Sequence, residues 1–124
     1  MGKESMEKLS RSEQIVQLFF NYLDQHILDV INGCQREFFE INQIAKNLAI
    51  SHQHLTDTVQ KETGNHPCYF YDLKIIDKAK EIILNTDYSL AEIANIFTYD
   101  PSNFSKFFKK FTGVPPGKYR KMHR

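Results

Sequence analysis

The sequence predicts an all-α fold of about seven helices, and three observations carry that prediction. Apolar residues recur at spacings of three and four along most of the chain, and no stretch reads as a strand. Only five Gly and four Pro are present, placed mostly where helices would stop. A shift of 49 residues also lays the chain on itself without a gap. Ile44-Ala45 then falls on Ile93-Ala94, Leu48 on Phe97, Ile50 on Tyr99, Leu55 on Phe104 and Val59 on Phe108. The register continues as Lys61-x-Thr63-Gly64-x-x-Pro67 over Lys110-x-Thr112-Gly113-x-x-Pro116. The repeated unit of about 27 residues suits two short helices and a turn.

Residues 1–11 are polar and aperiodic and are expected to be a disordered leader. From Ser12 the apolar positions Ile15, Phe19, Tyr22-Leu23, Ile27 and Val30-Ile31 share one helical face, and Gly33 is a natural stop. That face is expected to close a core rather than to form a dimer seam. A short helix follows from about Ile41 to Leu48, capped by Glu40 or one of its neighbours. Ser51 caps a helix from His52 to about Lys61, which stops at Gly64. Pro67 opens a longer helix to about Leu84, and Asn85-Thr86-Asp87 breaks it. Ser89 caps Leu90–Phe97, with Glu92 placed as the acid of a capping box. Asp100-Pro101 starts the next helix, which runs to about Phe111 and stops at Gly113. Val114-Pro115-Pro116-Gly117 reads as a rigid turn leading into a basic tail. The organisation is therefore a first subdomain over 12–66, a linker helix over 67–85, a second subdomain over 86–121 and a tail over 122–124.

Ten Phe and six Tyr can fill a core without Trp. No apolar run approaches a membrane span, and the N-terminus lacks the apolar centre of a secretion signal. Cys34 and Cys68 form neither a disulfide framework nor a metal-ligand spacing, which fits a reducing cytoplasm. Cys68 reads as a buried thiol at a helix start. The net charge of +1 conceals a polarity. Residues 1–66 hold six basic and nine acidic groups, whereas residues 67–124 hold ten and six. From Pro101 to Arg124 there are seven basic residues and no acidic one, which coincides with the second repeat.

Two helices that cross at a tight turn need a small residue at the crossing, here Ala45 and Ala94, and apolar residues bridging the turn, here Ile50 and Tyr99. To read DNA the second helix also needs an apolar inward face and a short, polar or basic outward one. The second repeat meets this best, with Phe104 and Phe108 inward and Ser102, Asn103 and Lys106 outward. Asn pairs with adenine and Lys donates to guanine O6 and N7. In the first repeat the outward set is His52, Gln53, Thr56 and Asp57. Gln53 suits adenine and Thr56 a thymine methyl, while Asp57, in register with Lys106, can only accept from cytosine N4. His52, Lys61, Lys109, Lys110, Lys118 and Arg120 are the expected phosphate contacts, which position without specifying sequence.

These residues also resemble a family. Ile44-Ala45 … Ser51 … Leu55 … Lys61-Glu62-Thr63-Gly64, then Ala79 … Ile83-Leu84 … Thr86, is similar to AraC/XylS-type transcription regulators. So is Ile93-Ala94 … Asp100-Pro101-Ser102-Asn103-Phe104-Ser105-Lys106-Phe107-Phe108-Lys109-Lys110-Phe111-Thr112-Gly113-Val114-Pro115-Pro116-Gly117-Lys118-Tyr119-Arg120. The resemblance covers about residues 12–121 and implies two helix-turn-helix subdomains joined by a long helix. It implies double-stranded DNA as partner, with two recognition helices in successive major-groove segments roughly 34 Å apart. Base-reading positions then fall at Gln53, Thr56 and Asp57, and at Ser102, Asn103 and Lys106. It further implies contact with RNA polymerase, and either a short stand-alone regulator or, as the modest charge favours, the C-terminal piece of a longer one whose ligand-sensing or dimerisation domain this stretch does not contain. Two departures stand out: Thr98 replaces the usual glycine in a second turn that reads one residue short, and Asp57 stands where a basic or polar reader is common.

Catalysis finds no support, and neither a cofactor nor a metal is expected. His52 and His54 are two apart on a helix, whereas a metal pair wants a spacing of four. No phosphate loop, activated nucleophile or carboxylate pair is present. The rival reading is a helix-turn-helix docking module for another protein. Such a module has no need of an acid-free, basic stretch over its second helix.

Overall fold

The computed structural model describes residues 8–124, and among them it holds seven helices and no strand. They are α1 (Arg11–Ile31), α2 (Ile41–Asn47), α3 (His52–Thr63), α4 (Pro67–Asn85), α5 (Leu90–Ile96), α6 (Pro101–Thr112) and α7 (Pro116–His123). Most of the expected leader, residues 1–7, lies outside the described residues. Its inner end is ordered as a cap. The Ser10 hydroxyl accepts from Glu13 N at 3.1 Å and Ser10 N donates to Glu13 Oε1 at 2.9 Å, so α1 begins at Arg11, one residue before the expected start at Ser12.

The tail is the other departure. Pro116 and Gly117 are not part of a turn but the opening of α7, with Pro116 buried at its first position. Proline suits that position because its missing N–H would have no helical partner. A Cβ on Gly117 would lie 3.2 Å from Leu90 Cδ1, so glycine there permits close packing of α7 on α5.

The chain divides into two compact units, and the division falls inside helices. The described residues through Gln25 with Phe39–Tyr71 form the first; His26–Phe38 with Asp72–Arg124 form the second. Both α1 and α4 thus belong partly to each. In the first unit Ile15, Phe19 and Leu23 of α1 are buried with Ile44 and Ala45 of α2 and Leu55 and Val59 of α3. In the second, Ile76, Ala79 and Ile83 of α4 are buried with Ile93, Ala94 and Phe97 and with Phe104 and Phe108 of α6. Phe97 stacks on Phe104 at 5.8 Å, and Phe108 meets Tyr119 edge-on at 5.3 Å. Burying the rings of Phe97, Phe104 and Phe108 removes nearly all of their apolar surface from water, about 1.5–3 kcal/mol apiece.

Both tight turns are closed by the same hydrogen bonds. In the first, Ile50 N donates to Ala45 O and Ala49 N to Lys46 O, each at 3.0 Å. In the second, Tyr99 N donates to Ala94 O and Thr98 N to Asn95 O, each at 2.9 Å. This six-to-one and five-to-two pairing satisfies the last carbonyls of α2 and α5, and it requires a left-handed residue after the helix. Ala49 and Thr98 supply it, both at φ 60°. The two turns are therefore equal in length, and threonine does the work that glycine would do at lower strain. The repeat extends further. Thr63 Oγ1 donates to Val59 O at 2.6 Å and Thr112 Oγ1 to Phe108 O at 2.9 Å, and Gly64 and Gly113 follow in the left-handed region.

An L residue in that region costs about 1–2 kcal/mol, more when β-branched. Ala49 and Thr98 are exposed, so no packing is lost on truncation. Thr98→Gly is expected to stabilise the protein by about 1 kcal/mol, and Ala49→Gly by less, after allowing for glycine's freedom in the unfolded chain. Urea midpoints test this; a lowered midpoint for Thr98→Gly would show that the side chain contributes more than its backbone costs.

His26 is buried at 4% exposure, edge-on to Phe38 at 6.0 Å. Burial lowers its pKa from the usual 6.5, and Asp29 one turn on offsets part of that. The unfolded chain therefore binds the proton more readily. His26 costs no stability above pH 6.5, and stability falls as the pH drops below that value towards the folded-state pKa. Thermal melts between pH 7.5 and 5.5 should show a steeper decline for the wild type than for His26→Gln; parallel declines would assign the effect to other groups.

Candidate nucleic-acid interface

Helix α6 is built to show one face. Asp100 accepts from Ser102 N at 3.1 Å and Asn103 N at 3.3 Å, fixing the helix start immediately before the first outward residues. Phe104 and Phe108 anchor the inner side. Ser102, Asn103, Lys106, Lys109 and Lys110 are all exposed. At 100° per residue they span an arc of about 120° on the side away from the phenylalanines. The neutral polar residues stand at the N-terminal end and the ammonium groups follow. Around the turn, Tyr99 packs edge-on against Phe107 at 5.3 Å, which holds the entry to the helix.

Helix α3 has the same length and the same glycine stop but a different N-cap and a different face. Ser51 accepts from His54 N at 3.0 Å. His52, Gln53, Asp57, Gln60 and Lys61 are exposed, and Thr56 is half-buried at the edge of this face. Two of the expected base readers bond to each other: Gln53 Nε2 donates to Asp57 Oδ1 at 2.9 Å. Ser102 and Lys106, the matching residues of α6, cannot form that bond in the same direction, since an ammonium cannot accept.

Among the expected phosphate contacts, Lys61, Lys109 and Lys118 are exposed. Lys110 is exposed too, but its ammonium lies over the Phe111 ring at 5.8 Å and near Asp72 of α4. Burial raises the Asp72 pKa, and Lys110 partly offsets this. Asp72 in turn adds to the burial that raises the Tyr99 phenol. Cys68, read as a buried thiol, is exposed, and so is Cys34.

Arg120 stands elsewhere than expected. Its Nε donates to Ile83 O at 2.9 Å, Nη1 to Tyr88 O at 2.8 Å and Nη2 to Thr86 O at 3.1 Å. Three of its five N–H donors therefore hold the last turn of α4 and the segment between α4 and α5, and a phosphate would have to compete with them. The repeat explains the role. In the same register, Tyr71 OH donates to Phe39 O at 2.8 Å, so each unit ties down the carbonyl before its first short helix from the helix that follows its second. Arg124 adds bonds to Thr86 O at 3.0 Å and Asp87 Oδ1 at 2.6 Å. The signal for all this was in the sequence: Pro67 and Pro116 match at the 49-residue shift, and both open helices.

Comparison with known proteins decides the family. The family described as a helix-turn-helix domain matches residues 44–122. The chain belongs to the AraC-type helix-turn-helix family. This AraC-type domain is similar to the Msm operon regulatory protein of Streptococcus mutans, 33% identical over 102 residues, which covers 81% of this chain and 36% of that protein. It is similar in structure to the C-terminal domain of AraT, a response regulator from Geobacillus stearothermophilus, at a TM-score of 0.77 and 28% identity, over 91% of this chain and 88% of that one. The DNA-binding domain of AdpA, a global transcriptional factor solved with a target DNA, shares the fold at a TM-score of 0.68 and 19% identity, over 94% and 95% of the two chains. The AraC-type domain spans about a third of the length of the curated relatives it matches first. No helix among the described residues is long and apolar enough to cross a membrane.

The Arg120 arrangement is testable by stability alone. Arg120→Ala should cost about 2 kcal/mol, because it removes three charge-assisted bonds and leaves Ile83 O and Tyr88 O without that donor, Thr86 O keeping Arg124. Tyr71→Phe, which removes the matching single bond, should cost about 1 kcal/mol. Lys118→Ala, on the exposed side of α7, should stay within about 0.5 kcal/mol. A neutral Arg120→Ala, measured by denaturant unfolding, would return Arg120 to the phosphate set.

Proposed function

We propose that this AraC-type domain binds double-stranded DNA sequence-specifically, as the DNA-reading part of a bacterial transcription regulator. Helices α3 and α6 enter successive major-groove segments about one helical turn apart. The observation that carries this reading is the outward face of α6, where Ser102, Asn103, Lys106, Lys109 and Lys110 are exposed together in a stretch without an acidic residue. A docking module gains nothing from that arrangement. Asn103 reads adenine, Lys106 reads guanine, and Ser102 supports either base. Lys109, Lys61, His52 and Lys118 bind phosphates, with Lys110 shared between a phosphate and Asp72. In the first unit Gln53 and Thr56 face the bases.

The shared fold with the DNA-binding domain of AdpA supports this reading. The length of the curated relatives supports a ligand-sensing or dimerisation domain elsewhere in the polypeptide. Contact with RNA polymerase belongs to the same proposal, as does action in the cytoplasm.

Selection from a random duplex pool, followed by fluorescence anisotropy over a salt series, tests the proposal. Two enriched half-elements about one turn apart are expected; weak, steeply salt-dependent binding without enrichment would overturn it. On the selected duplex, Asn103→Ala and Lys106→Ala should each cost about 1–3 kcal/mol and relax preference at one base position. Lys109→Ala should weaken all sequences alike and lower the salt slope by about one unit. Equal losses on selected and random DNA for the first two variants would remove them from the reading set.

A further inference from the structure

We infer that Asp57 is a positioning residue: it orients Gln53 for adenine, gives the first unit a preference for an A·T pair at that position, and does not itself touch a base. This rests on the reading that α3 faces DNA. The two residues are four apart on α3, exposed, and joined by the 2.9 Å bond from Gln53 Nε2 to Asp57 Oδ1. A glutamine alone on a helix surface turns freely and presents either end of its amide. A carboxylate only accepts, so the amide end nearest Asp57 must be nitrogen.

That choice decides what remains free. The glutamine amide has two N–H groups and one oxygen. With one N–H directed forward along the helix to Asp57, the other N–H and Oε1 stay side by side. In the major groove adenine offers the matching pair, an acceptor at N7 and a donor at N6. Guanine offers two acceptors, N7 and O6, and would set O6 against the glutamine oxygen. The bond also orders the side chain before DNA arrives, so less freedom is lost on binding. Asp57 has a cost, since its negative charge opposes the phosphate backbone and weakens attraction to every sequence. It trades general affinity for discrimination. This accounts for an acid at a position where the second unit has Lys106.

The test is anisotropy on the duplex recovered by selection, on its three single-position variants at the base pair that Gln53→Ala relaxes and at each neighbouring pair, and on random duplex. Circular dichroism confirms that each variant keeps its helices. Asp57→Ala is expected to lose most of a roughly tenfold adenine preference while binding random duplex more tightly. Asp57→Asn, whose amide oxygen still accepts from Gln53, is expected to keep the preference and also bind random duplex more tightly. Retention of the preference in Asp57→Ala would overturn the positioning role. A change at a different base pair would also overturn it, making Asp57 a reader in its own right. If Gln53→Ala relaxes no position, or selection recovers nothing, the underlying reading of α3 fails and this inference fails with it.

Discussion

A helix that hands over to another across only four residues must close its own last carbonyls, because water and the next helix cannot both reach them. In this chain α2 and α5 solve that problem identically, with paired backward hydrogen bonds and one residue forced into the left-handed region. Everything at the outward faces depends on it. The turn sets the direction in which α3 and α6 leave, and Ala45 and Ala94 let the helices cross closely enough to bury Leu55, Val59, Phe104 and Phe108. Once those four are buried, the helical period determines which side chains face out. That an alanine and a threonine accept the strained position shows how strongly the packing on either side demands it.

The two units share a frame and differ in chemistry. Their capping, stop signals and third-helix ties coincide at a shift of 49 residues, down to individual hydrogen bonds. The outward faces do not coincide. One carries an amide held by a carboxylate, the other a hydroxyl, an amide and a row of ammonium groups. The asymmetric charge of the chain follows from this. The second unit supplies most of the attraction to a polyanion and the first supplies little, so their contributions to affinity and selectivity need not be equal.

Much of the fold was legible in the sequence because it rests on local rules. Ser51, Ser89 with Glu92, Asp100-Pro101, Gly64 and Gly113 each mark a helix end by their own chemistry. The outward residues of α6 were legible for the same reason, since a helix with two buried phenylalanines four apart leaves few alternatives. What escaped depends on distant partners. Pro115-Pro116-Gly117 reads as a turn unless the match of Pro116 to Pro67 is followed through. Arg120 reads as a free cation because its three carbonyl partners lie more than thirty residues away. The Gln53–Asp57 bond depends on rotamers, which no periodicity reveals. The division of α1 and α4 between the units is likewise invisible, since each helix keeps one unbroken apolar face.

That division has an evolutionary reach. Neither unit is a continuous stretch of chain; each is assembled from two separate segments, and two helices are held in common. A single crossover therefore cannot exchange one reading unit alone, because the stretch that holds the whole of either unit also carries residues of the other. The outward residues are under no such restriction. New specificities in such a scaffold are accessible by point substitution on α3 and α6, one exposed side chain at a time, while the shared helices tie the two halves into one heritable piece.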